Sequence, residues 1–383
     1  MALIKLFNGD ISAIRLGNVD IAKVFLGSEQ IWPEGSSEYG PLWVWGRNDE
    51  GQLGVGDTSN KTVPTQMGTD SWKIVSPGHS HTLGIRYDDT LWAWGQNNYG
   101  KLGLGDTQRR IIPTQVSSEA WKAVAGGRHH SLAIKSDYTL WSWGHQTGLG
   151  FGDHDDKYVP TQVSRTGVVS WTAVAAGYYY SFTMRSDGTL FACGFGDYGR
   201  LGLGDTKDRI YFTPIDSFAW EMVSCKAYHT LAIRNDGTLW GWGNNAYGQL
   251  GLGDTSPRYA PTQIGTDTWK MVSAGGLFSA GIKSDGTLWT WGYNNYGQLG
   301  QGDSTTRYVP TQVGTDTWKM VTCGDTYALG IKSDGTLWAW GANNYGQLGL
   351  GNTSNRNTPV QVGTDRWRYV MSGFYHAIGM KAA

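Results

Sequence analysis

Histidine pairs and a recurring Asp–cation pair are the residues of this chain with the most capacity for chemistry. His79 with His81, and His129 with His130, could each offer ring nitrogens to a metal. No further ligand stands at a fixed spacing from either pair, so no metal and no cofactor are expected. Asp57, Asp106, Asp153, Asp205, Asp254, Asp303 and Asn352 form a second set. Four residues after each come Lys61, Arg110, Lys157, Arg209, Arg258, Arg307 and Arg356. Such pairs either build a basic rim for anionic glycans or phosphates, or brace each unit internally. Their regularity and a net charge of -1 favour the brace. The loop GQLGLGD is rich in glycine but lacks the Lys-Ser/Thr of a phosphate loop and the acidic spacing of a calcium loop. Neither GxSxG nor HExxH occurs, and Asp155-Asp156 is the acidic pair outside the regular pattern. The chain is therefore expected to be no enzyme, with no catalytic residues.

What positions these residues is a repeat. LWxWG, or LFACG in one copy, begins at Leu42, Leu91, Leu140, Leu190, Leu239, Leu288 and Leu337. The spacings are 49, 49, 50, 49, 49 and 49 residues, a period that marks a repeat architecture. One copy reads as WKMVSAGG (a strand ending at a Gly pair), FSAGIKS (a strand), Asp285-Gly286 (a tight turn), TLWTWG (a strand), a Gly-rich loop, and YVPTQVG (an outer strand). Pro310 suits an edge. Four strands in 49 residues is one propeller blade, and seven copies predict an all-β, seven-bladed propeller with very little helix. The last copy lacks its LWxWG strand, and the first begins with it. Residues 374–381 should therefore pair with residues 41–46 and close the ring. Nineteen of the 20 tryptophans fall at repeat positions, as blade packing requires.

Near-neutral charge argues against nucleic acid as a partner. No apolar run reaches the roughly 20 residues of a membrane-spanning helix, so membrane insertion is not expected. No secretory signal pattern is seen at the N-terminus. Cys193, Cys225 and Cys323 lack metal spacing and read as buried small residues.

Positions that vary between copies are where a partner would be read. Counting six residues from each WxxV tryptophan reaches the Gly-turn, and the next two positions vary between copies. The candidate binding residues are His79, Arg128, His129, Tyr178, Tyr179, Tyr228, Phe374 and Tyr375. The blade reading brings these turns together at one end of the central channel. Amphipathic rings and Arg suit a binding hot spot, and the same rings could instead fill the channel mouth. The position after them is His81, His130, Tyr180, His229, Phe278, Tyr327 and His376, expected to be structural.

The GxxHS, DGTLWxWG and NxxGQLGxGD elements recur in order over residues 39–383. They resemble the repeats of the regulator of chromosome condensation family. The resemblance implies a seven-bladed propeller and protein-binding roles; members include a guanine-nucleotide exchange factor, a plant ultraviolet photoreceptor and secreted β-lactamase inhibitors. The photoreceptor's GWRHT motif has no counterpart, because no Trp follows the turn Gly in any copy. The exchange factor's basic tail is also missing, whereas a binding role like that of the inhibitors stays open. Residues 1–32 carry a shorter period of ten, with Leu6–Ile11, Leu16–Ile21 and Leu26–Ile31 in register, and residues 33–38 read as a linker. The pattern LGxxxIxxVxLGxxxIW resembles small modules at the N-termini of bacteriophage tail and virion proteins. Together these features imply a phage virion protein of the tail-fibre or baseplate type. Residues 1–32 would dock to other virion proteins or to copies of themselves, giving a homo-oligomer. The propeller would meet a host surface glycan or protein. The alternatives are a capsid decoration protein and a soluble bacterial propeller, extracellular or cytoplasmic, that binds or inhibits another protein.

Overall fold

The computed structural model describes residues 25–26, 29–30, 40–163 and 170–382. The expected linker and most of the 1–32 module lie outside these residues. Within that module Phe25–Leu26 and Glu29–Gln30 pair as an antiparallel hairpin, and Leu26 aligns in parallel with Val174.

Alternation of apolar and small residues, punctuated by Gly turns, gives seven four-stranded antiparallel blades. In the sixth blade the inner strand is the last part of Arg258–Ala274, followed by Phe278–Lys283, Thr287–Gly292 and the first part of Arg307–Cys323. Among the described residues helix is confined to two short 3₁₀ turns, Asn98–Gly100 and Asp197–Gly199. The first blade is composite. His376–Lys381 pairs with Gly40–Gly46 in the register His376↔Gly46, Ala377↔Trp45, Ile378↔Val44 and Gly379↔Trp43. The ring therefore closes as the sequence predicts.

One expectation needs revision. The sequence pattern separates the outer strand of one blade from the inner strand of the next. In four places they are a single 17-residue strand: Lys61–Pro77, Arg258–Ala274, Arg307–Cys323 and Arg356–Ser372. All four contain Gly-Thr-Asp at the crossing, and their glycines Gly68, Gly265, Gly314 and Gly363 take φ of 61°, 63°, 59° and 61°. A left-handed glycine turns the strand without ending its ladder. Where Ser-Ser-Glu or Asp-Ser-Phe replaces that triplet, the strand breaks, as between Arg110–Ser117 and Trp121–Gly126.

The two tryptophans of LWxWG have separate tasks. The second is fully buried, and its indole N–H donates to a backbone carbonyl in the loop of the preceding blade. Trp94 bonds Gln52 O at 2.9 Å, Trp143 bonds Lys101 O at 2.9 Å, and Trp45 bonds Gln347 O at 3.0 Å across the closure. In the fourth blade Cys193 Sγ takes this place, donating to Gly148 O at 3.3 Å. The first Trp is half-buried under a cation. Lys381 lies 3.3 Å over Trp43, Lys283 3.5 Å over Trp289, and Lys332 3.6 Å over Trp338. These lysines also pair with Asp365, Asp267 and Asp316, each at 2.8 Å.

The expected Asp–cation brace forms in six blades, at 2.6 Å for Asp106–Arg110 and 2.7 Å for Asp303–Arg307. In the seventh, Asn352 replaces the carboxylate and Arg356 bonds Ser354 O and Asn355 O.

Candidate functional site

Each blade delivers its variable residues to one end of the ring by the same device. The residue after LWxWG donates its backbone N–H to the second variable turn position. Arg47 N bonds Tyr375 O, His145 N bonds His129 O, Phe195 N bonds Tyr179 O and Tyr293 N bonds Leu277 O, all at 2.9–3.0 Å. The turns also bond sideways to their neighbours: His79 N to Gly127 O at 3.1 Å, Arg128 N to Gly177 O at 3.2 Å, and Asp325 N to Phe374 O at 3.1 Å. The result is a stiff crown on the face away from the Asp-Gly turns.

The structure splits the eight sequence candidates into two layers. Tyr178 and Phe374 are the inner layer, stacked at 4.6 Å and nearly buried, with Ala227 beneath. His79 leans on Phe374 at 4.7 Å. These rings fill the channel mouth. Below them Lys226 reaches across the channel to carbonyl oxygens of Cys323, Ser372 and Gly373. Burial lowers the His79 pKa to about 3, and the cations Lys101 and Arg128 reinforce this. Asp325 shares the mouth; burial raises its carboxyl pKa while Tyr375 OH donates to it at 3.1 Å. Arg128, His129, Tyr179, Tyr228 and Tyr375 form the partly exposed outer layer. Arg128 lies 4.7 Å over Tyr178 and 5.5 Å over Tyr179, and it makes no ion pair among the described residues. The pKa of His129 falls to about 3, through burial first and then Lys101 and Arg128.

Several crown residues fall outside the sequence candidates. Tyr99, Tyr198, Tyr247 and Tyr296 stand 42%, 50%, 41% and 42% exposed in the Gly-rich loops. They recur at one loop position, so variation between copies does not single them out. His145, Phe195, Tyr293 and Arg47 follow LWxWG, where the type varies between copies; that variation was the missed signal. They join the candidates in ring contact. Tyr99 meets His145 at 4.7 Å and His129 at 5.3 Å, Tyr179 meets Phe195 at 5.4 Å, Tyr247 meets Tyr293 at 4.9 Å, and Tyr345 meets Tyr375 at 5.4 Å.

The third blade departs from the others. Ten residues separate Trp143 from Asp153, against twelve between Trp94 and Asp106. The shortened loop has no Tyr, and an open depression lies there, lined by His145, Gln146, His154, Asp155, Asp156, Lys157 and Tyr158.

The histidines beneath the crown are structural. His81 Nε2 pairs with Ser131 Oγ at 3.0 Å, His130 with Ser181 at 2.7 Å, His229 with Ser279 at 2.9 Å and His376 with Thr82 at 3.3 Å, each partner lying in another blade. Burial lowers the pKa of His130, His229 and His376 to about 3 and that of His81 well below its ordinary value. Phe278 and Tyr327 occupy the same repeat position, and Ala328 and Ala377 stand at the repeat position of the serine partner; Tyr327 OH donates to His376 O at 2.6 Å. Among the described residues no group of three or more His, Cys, Asp or Glu is placed to hold a metal.

Known proteins share this architecture. Human WBSCR16 superposes with a TM-score of 0.81 at 23% identity, over 90% of this chain and 99% of that one. Prp20p of Saccharomyces cerevisiae, known for binding Gsp1p and histones, gives 0.82 at 18%, over 91% and 93%. The same yeast protein bound to Kap60 gives 0.83 at 17%, over 99% and 97%. At these identities the likeness concerns the fold. In sequence, a Danio rerio protein, "Protein RCC2 homolog", is 41% identical over 54 residues, which is 13% of this chain and 11% of that protein. The regulator of chromosome condensation repeat matches residues 39–85, 88–134, 139–184, 187–233, 236–282, 285–331 and 334–379. With seven such repeats spanning the ring, the chain belongs to the regulator of chromosome condensation repeat family.

Proposed function

We propose that this chain is a non-enzymatic display protein whose crown binds a partner surface while its N-terminal segment holds it to a larger assembly. The carrying observation is polarity. Gly46 and His376 lie at the crown end of the composite blade, so Gly40 and Lys381 lie at the opposite end. A tether before residue 40 leaves the crown facing outward. The aromatic composition of the crown supports binding, because rigid rings give contact area at low entropic cost. The phage-like pattern of residues 1–32 supports a virion as the assembly and a host surface as the partner, with repeated copies adding avidity. A soluble protein binder, in the manner of the family's β-lactamase inhibitors, is the second reading. It is favoured by the protein partners named for Prp20p.

The test is flow cytometry of fluorophore-labelled full chain over a panel of bacterial surfaces. Tyr179→Ser with Tyr228→Ser should abolish adsorption with melting unchanged. Adsorption that survives this double variant would refute the crown as the binding face. A full chain that ignores every surface but co-elutes with one secreted protein would favour the second reading.

A further inference from the structure

We propose that the third blade carries a binding site for a neutral saccharide ring, an inference that rests on the crown being the binding face. A pyranose has an apolar C–H face and an edge of hydroxyls, and recognition needs a flat ring beside grouped acceptors. Only here is the loop two residues short, and an aromatic patch borders the open depression beside it. The patch is Tyr99, His129, His145 and Tyr179, whose rings lie 4.7 to 6.3 Å apart. Tyr99 offers the most exposed face.

The depression supplies the acceptors. The Asp155 side chain is 78% exposed and is engaged by Lys157 only at 3.7 Å. Gln146 Oε1 is buried with no hydrogen-bond partner among the described residues. That oxygen is closed to solvent, so a sugar hydroxyl would satisfy it only after the Gln146 side chain turns toward the depression. Asp156 holds the loop in place by accepting from Gln146 N at 2.8 Å. Two carboxylates at one wall repel a uronate or sialate, so the ligand is uncharged.

The test is saturation-transfer NMR of the full chain with glucose, galactose, mannose, N-acetylglucosamine and glucuronate. At least one neutral sugar should receive saturation. Tyr99→Asn and Asp155→Ala should each weaken it at least tenfold; Asn tolerates the φ of 65° at residue 99. Val309→Ala, on an exposed outer strand, should leave it unchanged. No signal from any neutral sugar, preference for glucuronate, or sensitivity to Tyr296→Ala instead of Tyr99→Asn would each overturn the proposal. If sugars give no signal while cell adsorption still depends on Tyr179 and Tyr228, the crown reading stands and only the saccharide site fails.

Discussion

Four fully buried histidines should make this ring acid-sensitive well above the carboxylate range. His81, His130, His229 and His376 are held neutral by burial, with pKa lowered to about 3 in three and well below 6.5 in His81. In the unfolded chain they titrate near about 6.5. The unfolded state therefore binds more protons below that pH. Stability is complete above about 6.5, falls as pH drops through it, and goes on falling toward about 3. One pH unit below the unfolded value, each histidine costs about 1.4 kcal/mol, so four cost about 5.6 kcal/mol at pH 5.5. His79 and His129 act in the same direction but are partly exposed, so each adds less. The raised carboxyl of Asp325 acts in the opposite direction. The aspartates with lowered pKa, such as Asp106 and Asp254, titrate below this window. The assay is urea unfolding at pH 7.5, 6.5 and 5.5, followed by Trp fluorescence. The chain supplies its own control in Phe278 and Ala328, which stand at the repeat positions of His229 and Ser279. His229→Phe with Ser279→Ala should copy that pair and remove about a quarter of the pH dependence. Gln249 O, which Ser279 bonds, keeps its bond from Trp291. Stability at pH 5.5 within about 1 kcal/mol of that at pH 7.5 would refute the neutral-histidine belt, since one group alone should exceed it.

Phe374→Ala should cost about 3–5 kcal/mol, because it empties the channel mouth under Tyr178, and calorimetry reads the drop. Trp291→Phe should cost about 1 kcal/mol or more from its lost bond to Gln249 O, whereas the fourth blade already folds with Cys193 there; denaturant midpoints compare them. Asp303→Ala should cost less than about 1 kcal/mol, since its pair with Arg307 is half-exposed, and 0.5 M salt should shrink the difference further. Deleting residues 374–383 should leave Gly40–Gly46 without its inner neighbour, and light scattering should then detect association through the open edge.

The fold was legible because its signals are periodic. LWxWG, the Asp-Gly turns and the mismatched ends each point to the same ring. The brace was legible for the same reason. The continuous strands were not, because Gly-Thr-Asp reads as a loop and only its left-handed backbone reveals a turn within a ladder. The site was half legible. Variation between copies identified the turn residues but could not rank Tyr178, which is packed, against Tyr179, which is partly exposed. Tyr99 and Tyr296 were hidden by their regularity: a residue repeated for the scaffold's sake can still present a face. The His–Ser pairings join positions about 50 residues apart, so they emerge only once neighbouring blades touch.

The composite blade also sets a clock on synthesis. Gly40–Gly46 is the first propeller strand to leave the ribosome, and its inner partner His376–Lys381 is the last. Translation at about 5–20 residues per second puts roughly 15–65 seconds between them. Through that interval the earliest strand has one sheet edge without its final neighbour, and six growing blades have no seventh to lock them. A message cut short inside the last repeat thus yields a chain that is nearly complete in mass yet open, and cellular proteases can tell it from the finished ring.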